Sequence, residues 1–352
     1  MCMEFWNGWF DTWGGEHHDR SPQDAAEVLD QMLSMGASVN FYMMHGGTNF
    51  GFWNGANIIE GYQPITSSYD YGAPLDEQGN PTEKYRLFRD VLAKYGAKVE
   101  AIPEATKGHS FGRGKILKSA SLWNNLSRFA PGISSAIPLT MEALGQRFGW
   151  ILYRTQISGP RSGEPLFIDG VHDRALVYGN QKLFGAIHRC DEQEGILLEV
   201  PEEGLALDIL VENQGRVNYR NLMGEQKGIL DGVRVRHQFQ FGWEIFSLEL
   251  STEDFMACED SFAPGDPTLF QFEIEIAKPH DTFLKVEGGS RGAVWLNGFA
   301  LGRYDQRGPQ KTLYVPASLL RRGTNSVDIF DEGSPQKIQV NFVASPILSA
   351  LC

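Results

Sequence analysis

Met1-Cys2-Met3-Glu4-Phe5, then Ser21-Pro22-Gln23-Asp24-Ala25-Ala26-Glu27-Val28-Leu29-Asp30-Gln31-Met32-Leu33-Ser34-Met35-Gly36, then Ala37-Ser38-Val39-Asn40-Phe41-Tyr42-Met43-Met44: these segments, in this order, decide the fold of the first hundred residues. The middle one reads as a helix. Ser21 stands as its N-cap, Pro22 at the first helical position and Asp24 in the first turn. Ala25, Val28, Leu29, Met32 and Leu33 recur at i, i+3, i+4, i+7 and i+8, which places them on one face, and Gly36 suits the C-terminal cap. The flanking runs are short and largely apolar, the second being of the kind covered on both faces in a parallel sheet. Thr82 to Tyr95 predicts a second amphipathic helix on Tyr85, Phe88, Val91, Leu92 and Tyr95, ended by Gly96. A β-α-β-α unit of this kind exposes too much apolar surface to stand alone, so further parallel strands are expected beside it, upstream.

From about residue 105 the pattern changes. Leu166–Asp169, Ala175–Tyr178, Leu205–Glu212, Phe270–Ile276, Ala293–Leu296 and Ser326–Phe330 are short runs parted by Gly, Pro and Asn turns, as in antiparallel β-sandwich or jelly-roll domains. The expected class is α/β followed by all-β. The partition is residues 1–98, a linker at 99–140 with a strand joining the β region, a first sandwich at 141–255 and a second at 256–352. The 36-residue stretch from His45 to Asn80 reads as a loop, and loops that long in a compact domain tend to be functional or disordered.

The 352 residues are 42% hydrophobic, 21% charged and 12% aromatic, the balance of an ordinary globular chain. A net charge of −13 argues against nucleic acid or an anionic membrane surface as partner, because phosphates are held by clustered Lys and Arg. A neutral substrate fits better, and a homo-oligomer is left open. Cys2, Cys190, Cys258 and Cys352 lie far apart without C-x-x-C spacing, so buried free thiols are expected rather than a zinc site or a disulfide framework. Sparse cysteines point to the cytoplasm. No run reaches the roughly 18 apolar residues of a membrane span, and the N-terminus has no leader pattern. Because the chain opens inside a structural element, a leader on upstream sequence stays open.

The segment Glu4-Phe5-Trp6-Asn7-Gly8-Trp9-Phe10-Asp11-Thr12-Trp13-Gly14 sets a carboxylate at a strand end beside a dense aromatic cluster. Strand ends of this sort carry active sites in (β/α)₈ barrels, and aromatic faces pack on the C–H patches of sugars. The residues taken alone also fit a surface Glu beside a hydrophobic staple. His17, His18, His45 and His172 lack a matching carboxylate or Cys at ligand spacing, so solvated or hydrogen-bonded histidines are expected, with no metal and no cofactor. Trp295 and Tyr304 read as sandwich core.

The same segment resembles the nucleophile region of glycoside hydrolase family 35, the β-galactosidases. The resemblance continues through Gly36-Ala37-Ser38-Val39-Asn40-Phe41-Tyr42-Met43, Gly46-Gly47-Thr48-Asn49-Phe50, Trp53-Asn54-Gly55-Ala56-Asn57, Ser68-Tyr69-Asp70-Tyr71 and Leu75-Asp76-Glu77-Gln78-Gly79-Asn80-Pro81-Thr82-Glu83-Lys84-Tyr85. It reaches the β-rich half at Gly170-Val171-His172-Asp173-Arg174-Ala175, Leu210–Tyr219 and Val294–Tyr304. The resemblance implies the C-terminal remnant of a TIM barrel followed by two galactose-binding-like jelly-roll domains, and retaining hydrolysis of terminal β-galactose. It implies Glu4 as the nucleophile, Trp9 as a sugar-stacking residue, and Tyr42 and Tyr71 as hydroxyl-bearing residues lining the galactose site. Asn40 and Asp70 would orient these from behind, although Asp70 is nearly as readily an Asx-turn former.

The family's acid/base Glu, in an Asn-Glu-Tyr-Gly type of motif on an earlier strand, has no match in this sequence. Glu212-Asn213-Gln214-Gly215 only mimics it, and its surroundings read as a structural turn. The expectation is a truncated chain, inactive or weakly active alone, with an apolar edge open to aggregation. The competing expectation is a non-catalytic carbohydrate-binding or structural fragment.

Overall fold

The computed structural model describes residues 1–59, 61–191, 195–259, 261, 265–333 and 337–348, so Cys352 lies outside the described residues. The chain is mostly β, with its few helices concentrated near the start. Strand β1 (Cys2–Trp6) is followed by helix α1 (Pro22–Ser34) and strand β2 (Val39–Tyr42), which pairs with β1 in parallel, Phe5 opposite Phe41 and Trp6 opposite Tyr42. Ser21 Oγ accepts from Asp24 N and caps α1. Beyond α1, Gly36 at φ +73° donates to Leu33 O while Ala37 donates to Met32 O, a paired closure that only a left-handed residue permits. Helix α2 (Glu83–Lys94), capped by Thr82, ends in the same way at Gly96. Phe5, Phe41 and Phe88 join Ala25, Leu29 and Val91 in a small core between the two strands and two helices.

That core is incomplete. Val28, Met32 and Leu33 on the apolar face of α1 are only partly covered, and Tyr95 of α2 is exposed. Strand β2 was expected to be covered on both faces but is not, and Met3 and Trp6 on β1 are 62% and 51% exposed. The reason is the two-stranded sheet itself: neither β1 nor β2 has a second neighbour among the described residues.

His45–Asn80 departs from the loop expectation. It holds strands β3 (Gly55–Ile58) and β4 (Tyr62–Pro64), a hairpin whose β3 pairs in parallel with Arg216–Val217. Strands of three and four residues in an Asn- and Gly-rich stretch carry no legible alternation, and tertiary pairing makes them.

The remainder is four stacked layers. A six-stranded sheet, with Trp150–Ile157 and Leu205–Glu212 at its centre, faces a four-stranded sheet built on Arg161–His172 and Gly228–Val235. A five-stranded sheet, including Arg291–Leu296 and Gly323–Asp331, faces a four-stranded sheet built on Thr282–Glu287 and Gln339–Val343. A third core lies between the six- and five-stranded sheets, where Trp150, Leu152, Leu176 and Leu210 meet Leu269, Trp295 and Phe330. The six-stranded sheet is thus buried on both faces. This is why Leu205–Glu212 reads as nearly continuous apolar sequence although its sheet is antiparallel.

Strand Lys115–Ser121 pairs with Thr268–Ile276, so residues on either side of the first β stack share one sheet. Trp295 and Tyr304 are core residues. Cys258 is buried but Cys190 is exposed, against the expectation of buried thiols, because Cys190 lies past the end of an edge strand at the sheet rim. Among the described residues no helix is long and apolar enough to cross a membrane.

Candidate active site

Strand β1 carries Glu4 to the surface, where its carboxylate accepts from Trp6 Nε1 at 3.0 Å and takes part in no ion pair among the described residues. A wall of rings rises beside it. Trp6 meets Trp9 at 5.0 Å between centroids, Trp9 stacks on Phe10 at 4.9 Å, and Phe10 stacks on Tyr69 at 5.8 Å. Tyr71 lies 5.7 Å from Tyr69, 6.0 Å from Tyr42 and 6.2 Å from Trp9, closing the cluster. Trp9, Tyr42 and Tyr71 are therefore brought together. Asn40 is exposed and its Nδ2 donates to Met3 O at 2.8 Å, fastening β2 to β1 beside Glu4.

Tyr71 sits at φ +67°, a conformation that costs a bulky residue free energy unless its surroundings impose it. Asp70 helps impose it: Asp70 Oδ1 accepts from Gly72 N at 3.1 Å across Tyr71. The strand-end loops also come very close. A Cβ on Gly8 would fall 1.7 Å from Tyr71 O and one on Gly46 would fall 1.7 Å from Tyr69 O, so glycine alone lets these loops touch. Burial, then the neighbouring Tyr69 and Tyr42, and lastly the charge of Glu4 hold the Tyr71 phenol above the ordinary tyrosine range. Its hydroxyl is buried and has no hydrogen-bond partner. Tyr69 is raised likewise, chiefly by burial, with the neighbouring Tyr42 phenol adding to it.

Several groups that tie the site together were not singled out from sequence. Buried Lys84 reaches from α2 to donate to Asn7 O at 2.7 Å and Gly72 O at 2.5 Å, and Asn7 Nδ2 donates to Met43 O at 2.9 Å. A signal existed: Lys84 stands four residues before Phe88, on the apolar face of α2, where a lysine is out of place without buried acceptors. His17 Nδ1 lies 2.7 Å from Asp11 Oδ2, and His18 contacts Asp11 Oδ1 through both its backbone N–H and its ring. Asp11 is the carboxylate partner that ligand spacing did not reveal, since the loop rather than a helix or strand period brings it to them. Among the described residues no cluster of three or more His, Cys, Asp or Glu is arranged to hold a metal ion.

Behind Tyr71, buried Glu77 accepts from Thr48 Oγ1 at 2.6 Å. Burial, with added repulsion from Asp70, pushes its carboxyl up to about 8 from an ordinary 4.5. The folded chain therefore holds a proton there that the unfolded chain has lost. Stability from this group is whole below pH 4.5 and falls as pH rises towards 8, at no more than about 1.4 kcal/mol per unit. Glu77→Gln is expected to remove that slope. Melting temperatures of the two chains should diverge in favour of the Gln variant between pH 5 and pH 8, and a constant difference would show that Glu77 is ionised when folded.

Residues 1–95 match the family described as glycosyl hydrolases family 35, residues 138–249 the first all-beta domain of beta-galactosidase, and residues 267–325 its galactose-binding domain. The chain is 39% identical to a beta-galactosidase of Xanthomonas manihotis over 91% of its own length and 54% of that protein's. It is 37% identical to the Bos taurus beta-galactosidase over 98% of its own length and 58% of the other. A beta-galactosidase-1-like protein of Mus musculus is 37% identical over 99% and 56%. The chain thus spans little more than half the length of the curated relatives it matches.

Proposed function

The chain belongs to the glycosyl hydrolases of family 35, and from that premise we propose that it carries the nucleophile half of a retaining β-galactosidase acting on terminal β-galactose of galactosides or oligosaccharides. The observation that carries this reading is Glu4: an exposed carboxylate within the parallel strand β1, two residues before its end rather than at it, in no ion pair among the described residues and hydrogen-bonded to Trp6, where the aromatic wall begins. In this reading β1, α1, β2 and α2 are the last part of a (β/α)₈ barrel, and residues 99–140 lead into two sandwich units at about 141–255 and 256–352.

Glu4 attacks the anomeric carbon as the glycosidic C–O bond breaks, forming a galactosyl ester. A second carboxyl, about 5 Å away in retaining geometry and supplied by upstream strands, protonates the departing oxygen. That carboxylate then takes a proton from the water that releases galactose and restores Glu4. Trp9 offers its face to the sugar, and the Tyr42 and orphan Tyr71 hydroxyls suit sugar hydroxyls. Asn40 and Asp70 hold these groups in place through Met3 O and Gly72 N.

The test lies in the leaving group. An alkyl galactoside needs protonation to depart, whereas a nitrophenolate needs far less. The chain alone is expected to hydrolyse an alkyl β-galactoside roughly 10² to 10⁴ times more slowly than the chain joined to upstream strands bearing Asn-Glu-Tyr-Gly, with a much smaller gap for the nitrophenyl substrate. Equal alkyl rates would sink the assignment of a missing acid. Galactose binding without turnover in either form would support a non-catalytic carbohydrate-binding role instead.

A further inference from the structure

Away from the aromatic wall, a cavity of about 250 Å³ lies at the rim where the six- and five-stranded sheets meet, lined by Arg174, His188, Arg291 and Arg307 with the carboxylates of Asp305 and Glu332. Three guanidiniums thus face two carboxylates in a chain whose net charge is −13. The pairing leaves donors over. Arg307 uses Nε and Nη2 on Asp305 at 3.0 and 2.8 Å and keeps 43% of its side chain exposed. Arg174 binds Glu332 through Nη1.

Arg291, only 8% exposed, binds Asp305 through Nη2, while its Nη1 is buried without a hydrogen bond and lies 3.7 Å from Glu212. That buried nitrogen is balanced by the charge of Glu212, so the donors left over towards the cavity are those of Arg174 and Arg307. The field has a witness in His188. After burial, Arg174 contributes most to holding its imidazole below the ordinary histidine range, with Arg291 and Arg307 adding to it against Asp191.

We propose that this junction is a binding site for a compact oxyanion, a sulfate or carboxylate group, which the spare guanidinium donors of Arg174 and Arg307 would share in the field of Arg291. Planar guanidinium forks match two oxygens at once, and a cavity this size admits a single acidic sugar as well as a free ion. The site is separate from Glu4 and does not rest on the reading of hydrolysis.

The test measures binding to the whole chain at constant ionic strength, since bulk salt screens such charges. Sulfate, galacturonate and neutral galactose are titrated while the His188 ring resonances and the melting temperature are followed. Sulfate or galacturonate should act saturably beyond a sodium chloride control and raise the His188 pKa, with galactose inert at this ring. Tighter binding of galacturonate identifies a sugar acid as the ligand, and tighter binding of sulfate an inorganic anion. Arg307→Gln, a change at a half-exposed side chain, should weaken either by tenfold or more. No saturable response, or an equal response in Arg307→Gln, would overturn the proposal.

Discussion

Arg303→Ala is expected to destabilise the chain by about 3–5 kcal/mol, the usual cost of removing one partner from a buried ion pair. Arg303 is 3% exposed and touches three parts of the molecule at once. Nη1 donates to Glu212 Oε1 at 2.6 Å, Nη2 donates to Asn213 O, and Nε donates to Asn54 Oδ1 at 3.1 Å. Its guanidinium lies 4.7 Å over the ring of Phe52, and its backbone N–H and C=O both meet Ser67 Oγ. The five-stranded sheet, the first β stack and the His45–Asn80 segment are joined through one residue. Removal would strand Glu212, which Arg303 and Arg291 hold ionised, below the ordinary carboxylate range, against the cost of burial. Arg303→Lys should recover only part of the loss, because an ammonium cannot reproduce the planar fork. Urea unfolding followed by tryptophan fluorescence would measure both, and a loss below about 1 kcal/mol in the Ala variant would mean that the network is energetically neutral.

The second large effect concerns chemistry alone. In the chain joined to upstream strands bearing Asn-Glu-Tyr-Gly, as the proposed function requires, Glu4→Gln is expected to lower kcat on a nitrophenyl β-galactoside by on the order of 10⁴-fold or more, with KM little changed. Gln keeps the size of Glu and can still accept from Trp6 Nε1, and position 4 is exposed, so the fold should be untouched. A melting temperature equal to wild type would show that the fold is unchanged and that the loss belongs to the carboxylate. A slow galactoside that stalls on the enzyme should label the peptide containing Glu4 in the wild type and nothing in the variant. Residual turnover above a hundredth of wild type would remove Glu4 from the role.

The parts of this molecule that were legible in the sequence are those whose signals are local. Ser21, Pro22 and Gly36 mark α1 within a residue, as Thr82 and Gly96 mark α2, because capping depends on backbone groups a few positions away. The sandwich strands were legible as short apolar runs, yet their stacking was not. Burial of the six-stranded sheet on both faces follows from a neighbour on the other side of the molecule. The β3–β4 hairpin was invisible for the same reason: its partner, Arg216–Val217, lies far along the chain. At the candidate site the quoted blocks placed Glu4, Trp9, Tyr42 and Tyr71 in one region, and the structure gathers the rings of Trp9, Tyr42 and Tyr71. Lys84, Asp11 and Glu77 escaped notice because what they do is decided by tertiary acceptors and burial rather than by spacing.

One pairing described above sets a timetable for synthesis. Lys115–Ser121 leaves the ribosome long before Thr268–Ile276, its neighbour in the sheet, and Ser121 is separated from its contact Asp266 by 145 residues. At common elongation rates that interval is on the order of ten seconds. For that time an early strand, two of whose side chains, Ile116 and Leu117, are exposed even in the finished fold, waits with its edge unpaired while the whole first β stack forms. Nascent chains are therefore open to mispairing of this strand from its emergence until Thr268–Ile276 follows, and slower translation across that span lengthens the exposure.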